Sequence, residues 1–133
     1  MTAKYEKKIV KVFISEEEMH SEFTRLFREG LTGEEKGHYT LMLLNDFLKV
    51  FTPERLNLLK AIASVRPSSV RELARMVGRD VKNVHGDLQL LYSHGLIELE
   101  ENGSRKVPVV PYRKLRIEFA GELEIEVSEK KIA

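Results

Sequence analysis

The chain has 133 residues, 42% of them hydrophobic and 32% charged, which is enough for one domain with a buried core. There is no cysteine, so disulfides and thiolate zinc sites are excluded, and the longest apolar run, Leu41 to Leu44, is far too short to span a membrane. Net charge is only +1, but residues 52–119 carry twelve Lys/Arg against eight Asp/Glu, while 1–51 carry eight against nine and 120–133 two against four.

Lys7 to Ile14 is rich in β-branched residues and predicts a strand. Ser15 with Glu18 has capping-box spacing, and Glu16 to Glu18 suit the positive end of a helix dipole. Met19, Phe23, Leu26 and Phe27 form one apolar stripe, which predicts a helix ending near Gly30 that packs in the core or a dimer interface. Thr32 to Gly37 reads as a loop. His38 to Leu44 fits a strand, and Asn45 or Asp46 fits the cap of a short helix through Phe51, although short apolar runs leave strand and helix open.

Thr52-Pro53-Glu54 combines a cap, a first-turn proline and an acid, so a helix starts there. Leu56, Leu59, Ile62 and Ala63 give its buried face, with Leu58 close by, and Arg66-Pro67-Ser68 ends it. Ser69 with Glu72 is a second capping box; Leu73, Ala74 and Val77 face inward, and Gly78 permits a tight turn. Asp80 caps a third helix, over 80–95, with Val81, Val84, Leu88 and Leu91 as its buried side and Gly95 at its close. Ile97 and Leu99 alternate with glutamates, and Asn102-Gly103 is the pair favoured in a type I′ turn. Arg105-Lys106-Val107 begins a return strand that Pro108 and Pro111 keep short or at an edge, giving a wing over 97–110. Three helices and a hairpin are the layout of a winged helix-turn-helix.

In the tail, Leu115, Ile117 and Phe119, then Leu123, Ile125 and Val127, alternate with charged residues. Register favours a hairpin with a three-residue loop through Glu122, setting Phe119 opposite Leu123. The acidic side of the last strand complements Lys4, Lys7, Lys8 and Lys11, so the two termini are expected to share a sheet, within one chain or across a dimer.

With the apolar side of the third helix assigned, Lys82, Asn83, His85, Gly86 and Gln89 point outward near its N-terminal half. That end enters the major groove in helix-turn-helix proteins. Asn and Gln match adenine N6 and N7, and Lys matches guanine O6 and N7. Lys82, Asn83, His85 and Gln89 are therefore candidate base contacts with double-stranded DNA. Arg71, Arg75 and Arg79 are candidates for backbone phosphates, as are Arg105 and Lys106 at the wing tip. Plainer roles compete: Asn83 serving the backbone at the helix start, His85 solvated, Gln89 beyond reach, Arg71 and Arg75 on a solvated face. Glu98, Glu100 and Glu101 also disfavour deep insertion of the wing, so a winged helix that binds a protein partner is the second reading.

Residues 52–119 resemble the winged helix-turn-helix of small prokaryotic, notably archaeal, transcriptional regulators related to the MarR and ArsR groups. More narrowly, Glu72-Leu73-Ala74, the run Gly78 to His85, Asp87-Leu88 and Gly95-Leu96-Ile97 resemble a family of predicted DNA-binding regulators, some antitoxin-like. The resemblance implies sequence-specific binding by a homodimer through the helix bearing Lys82, Asn83 and His85. Gly86 departs from the polar or basic side chain expected there, so no target sequence carries over.

No enzyme constellation is present: His20, His38, His85 and His94 lack the spacing of a helical metal motif, and there is no phosphate-cradling glycine loop. The expected fold class is α+β, a winged helix-turn-helix with an N-terminal strand–helix and a C-terminal β-hairpin extension. Residues 1–51 are the expected dimerisation extension, 52–119 the DNA-binding domain and 120–133 a strand extension. No cofactor or metal is expected, and no membrane partner. The expected compartment is the cytoplasm, since the N-terminus lacks an apolar secretory core.

Overall fold

Alternation of apolar and polar residues in the first strand sets up a three-stranded sheet, and helical periodicity downstream sets up the bundle that packs on it. The computed structural model describes residues 3–30, 38–121 and 123–128. Along these the elements run β1 (Tyr5–Phe13), α1 (Glu16–Arg28), β2 (Tyr39–Leu43), α2 (Leu44–Val50), α3 (Pro53–Val65), α4 (Val70–Val77), α5 (Val81–Ser93), β3 (Glu98–Asn102), β4 (Arg105–Val109) and β5 (Tyr112–Phe119). The loop expected over Thr32–Gly37 lies outside the described residues, as does Glu122.

β1 is the centre of an all-parallel sheet ordered β2-β1-β5. Val10 lies beside Thr40 and Ile117, and Val12 beside Met42 and Phe119. Lys8, Val10 and Val12 are buried at alternate positions, as the two-residue period of a strand requires. Ser15 caps α1, its hydroxyl accepting the Glu18 N–H at 3.4 Å. No residue of α1 is buried: Met19 and Leu26 are half-buried, and Phe23 and Phe27 are exposed with ring centroids 5.7 Å apart. An ion pair between Lys11 and Glu22 ties α1 to β1.

β2 and α2 confirm the strand and short helix expected over 38–51, but the helix begins earlier, after Leu43, with no side-chain cap. α3 starts where expected, the Thr52 hydroxyl accepting the Arg55 N–H at 3.3 Å. Its buried face is rotated from the expected one: Leu58, Leu59 and Ile62 are buried, Leu56 is half-buried and Ala63 is exposed. Ser69 caps α4, and Leu73 and Ala74 join the core. One apolar cluster runs from Val10, Val12 and Met42 through Leu58, Ile62 and Leu73 to Val84, Leu88, Leu91, Leu96 and Ile97. The sheet and the three-helix bundle thus share a single core.

The fold is α+β with a winged helix-turn-helix made by α3, α4, α5 and the β3–β4 hairpin. The wing turn differs from expectation by one residue. Asn102 pairs with Arg105, leaving Gly103-Ser104 as a two-residue loop with Gly103 at φ 67°. A left-handed residue at the first central position alone is the II′ pattern, which suits the twist of the strands as I′ does. Pro108 lies in β4, where the lost N–H faces the free edge of a two-stranded sheet.

The expected tail hairpin is corrected. Residues 123–128 form no strand, and β5 gives one edge to β1 instead. The reason is visible where the strand ends: the Ala120 N–H donates to Val12 O at 2.8 Å, continuing the β1 ladder. The chain then meets α1 rather than doubling back, with Gly121 at φ 80° against the Glu18 carboxylate. β1 therefore shares its sheet with β5, and the acidic segment after β5 takes no part in that sheet. The buried Tyr112 hydroxyl, at the start of β5, donates to Leu96 O at 2.9 Å, tying this sheet to the end of the helical bundle. Burial pushes that phenol's pKa up.

Candidate nucleic-acid interface

α5 is held by three inward side chains. Val84 and Leu91 are fully buried and Leu88 is 3% exposed, which fixes the helix rotation about its axis. Val81, expected on the same side, is 37% exposed. It belongs to the first turn, which projects beyond the packed core. Asp80 supplies the cap, its carboxylate accepting the N–H groups of Lys82 at 3.1 Å and Asn83 at 3.3 Å.

The opposite side of α5 is free. Lys82, Asn83, His85 and Gln89 are all exposed. Asn83 is not needed as a cap, since Asp80 has that role, and the Asn83 and Gln89 side chains have no hydrogen-bond partner among the described residues. Gly86 lies on this surface beside Lys82 and Gln89, four residues before and three after it, and a β-carbon built there meets nothing within 4 Å. The backbone is therefore open to approach at that point.

Arg71 and Arg75, four residues apart on α4, are exposed on one row of that helix. Glu72 is turned toward the helix start, where the Ser68 hydroxyl donates to it at 2.8 Å. Its pKa is lowered chiefly by that hydrogen bond, then by the Ser68 N–H, with Arg75 a smaller contribution. Arg105 and Lys106 are exposed at the wing tip, and Lys106 lies opposite Glu101 in the hairpin ladder. Arg79 stands apart from this set. Its Nη1 lies 2.7 Å from Asp87 Oδ2, and its side chain is only 26% exposed.

Asp87 is the residue that the sequence reading left without a role. Its other oxygen accepts from Arg55 Nε at 3.1 Å, so α3, the α4–α5 turn and α5 meet at one carboxylate. An acid between Val84 and Leu88, at the rim of the buried stripe, needs a cation, and that was the readable signal. At the other end of α5, the buried Lys8 of β1 brings its ammonium to Gly95, where an added β-carbon would lie 3.6 Å from Nζ. Burial lowers the Lys8 pKa. The Thr40 hydroxyl also donates to His94 O, at 3.4 Å. α5 is thus fixed to the sheet at its C-terminal end and to α3 in its middle.

Among the described residues no group of three or more His, Asp or Glu is arranged to hold a metal ion, and no helix is long and apolar enough to cross a membrane.

Fold and exposed helix face together define a winged helix-turn-helix protein. Residues 50–117, just over half of the chain, match the HVO_A0114 family, and the chain belongs to that family. No curated protein matches it. Two solved structures of fragment 1–100 from Mycobacterium bovis are similar. One, determined in solution, is described as the homodimeric winged helix-turn-helix DNA-binding domain of a possible ArsR-family transcriptional regulator. It is 25% identical, with 51% of this chain and 66% of that chain covered and a TM-score of 0.44. This chain thus spans just under two thirds of it. The other, a crystal structure described as a possible transcriptional regulatory protein, is 23% identical, with 51% and 76% covered and a TM-score of 0.41.

Proposed function

We propose that the chain is a sequence-specific, double-stranded DNA-binding transcriptional regulator that acts as a homodimer. α5 enters the major groove and the β3–β4 wing rests on the backbone. The observation that carries this reading is the uncovered polar face of α5, where Lys82, Asn83, His85 and Gln89 are exposed while Val84, Leu88 and Leu91 hold the helix from behind. Asn83 and Gln89 have the paired donor and acceptor that adenine presents in the major groove. Arg71, Arg75, Arg105 and Lys106 supply phosphate contacts on either side, and Arg79 orients the helix through Asp87. The dimer is supported by the α1 stripe, since Phe23 and Phe27 are 54% and 59% exposed. Two copies related by a two-fold axis would present their α5 helices roughly 34–36 Å apart, one turn of duplex.

Fluorescence anisotropy on promoter duplexes, titrated with salt, tests the reading. Binding at about 0.1 M salt that falls steeply as salt rises is expected, each phosphate contact adding about 0.9 to the logarithmic slope. A protein that ignores duplex at low salt is instead a protein-binding winged helix.

A further inference from the structure

Residues 123–128 form no strand, yet they carry a strand's pattern. Leu123, Ile125 and Val127 are 64%, 75% and 85% exposed and alternate with Glu124 and Glu126. When extended, such a segment has one apolar face and one acidic face.

β5 has the matching edge. It pairs with β1 on one side only, so among the described residues its other side offers unpaired backbone donors and acceptors. Its side chains sort in the same way. Leu115 and Ile117 pack toward the core, while Lys114 and Arg116 are exposed on the opposite face.

We propose that Leu123–Val127 of one protomer adds as an antiparallel strand to the free edge of β5 in a second copy of this chain, and that the exchange is reciprocal. With Leu123 opposite Ile117 and Ile125 opposite Leu115, the acids fall opposite the bases: Glu124 on Arg116 and Glu126 on Lys114. Directly opposed charges of unlike sign favour such a register, and like charges disfavour it. A chain cannot reach this register with its own tail, because the turn would have to take in Phe119. Phe119 is already strand, beside Val12, and the Ala120 N–H extends the same ladder. Gly121 then lies against Glu18 of α1, which packs on β1 and β2, the side away from the free edge. The tail leaves its own β5, and only another copy's edge remains for it.

This deepens the dimer of the proposed function and rests on that part of it alone. The chain has no cysteine, so single cysteines report cleanly. Arg116→Cys and Glu124→Cys, both at exposed positions, are placed in separately tagged full-length chains, mixed and oxidised, beside sedimentation velocity of the unaltered protein. The expected result is a sedimenting dimer and a disulfide-linked species carrying both tags. A doubly substituted chain that closes only its own disulfide overturns the inference. So does a dimer that fails to cross-link, which leaves the dimeric reading standing. A monomer that fails to cross-link removes both. No DNA is present, so none of these outcomes bears on duplex binding.

Discussion

Arg79 Nη1 lies 2.7 Å from Asp87 Oδ2, which joins the turn before α5 to the middle of that helix. Arg55 completes the arrangement from α3 at 3.1 Å. The Asp87 side chain is 13% exposed, so solvent screens these pairs only in part. Asp87→Ala removes the acceptor of the Arg55 hydrogen bond and the counter-charge of Arg79. A hydrogen bond to a charged group contributes about 1.5–3 kcal/mol, so a loss of stability of about that size is expected in urea unfolding followed by circular dichroism. A change under about 0.5 kcal/mol would show that the three residues act as solvated surface.

Gly86 lies inside α5 in open space. Glycine in a helix interior costs about 0.5–1 kcal/mol relative to alanine. Gly86→Ala should therefore raise stability by that amount, read as an increase in the urea midpoint at constant m-value. Unchanged or lowered stability would mean that a β-carbon does meet something there.

Glu22 carries the clearest acid response. Its carboxyl pKa is lowered from 4.5 to about 2, first by the hydrogen bond from the Arg25 guanidinium and also by Lys11. The folded carboxylate therefore holds its proton less tightly than the unfolded one. Its contribution to stability is complete above about 4.5 and is lost as pH falls toward 2. Urea midpoints measured across that window should drop more steeply for the unaltered protein than for Glu22→Gln. Parallel curves would remove Glu22 from the account.

Much of this was legible in the sequence because the signals are local. Ser15, Thr52, Ser69 and Asp80 all cap the helices that follow them, each accepting backbone N–H groups of the first turn. Val84, Leu88 and Leu91 recur at helical spacing and are buried. What failed depends on long-range pairing. Period-two alternation fits any strand partner, so Leu115–Val127 read as a hairpin, whereas β5 pairs with β1, more than a hundred residues earlier in sequence. The same blindness left Asp87 without Arg55, its partner across the bundle. Val81 fitted the apolar repeat but lies past the end of what α5 packs against, an effect that periodicity alone does not carry.

The arginines of α4 and the polar face of α5 should divide affinity from selectivity. Arg75→Ala is expected to weaken binding to every duplex alike and to lower the salt slope by about 1, as the loss of one phosphate contact does. Equal slopes would place Arg75 outside the interface.

Asn83 gives the most direct measurement of the central claim. A duplex is selected by the unaltered protein from a random pool, and its affinity is compared with that of a scrambled duplex, before and after Asn83→Ala. The account predicts a loss of about 1–3 kcal/mol on the selected duplex and none on the scrambled one. An equal loss on both, or no loss on either, would contradict base reading by the exposed face of α5.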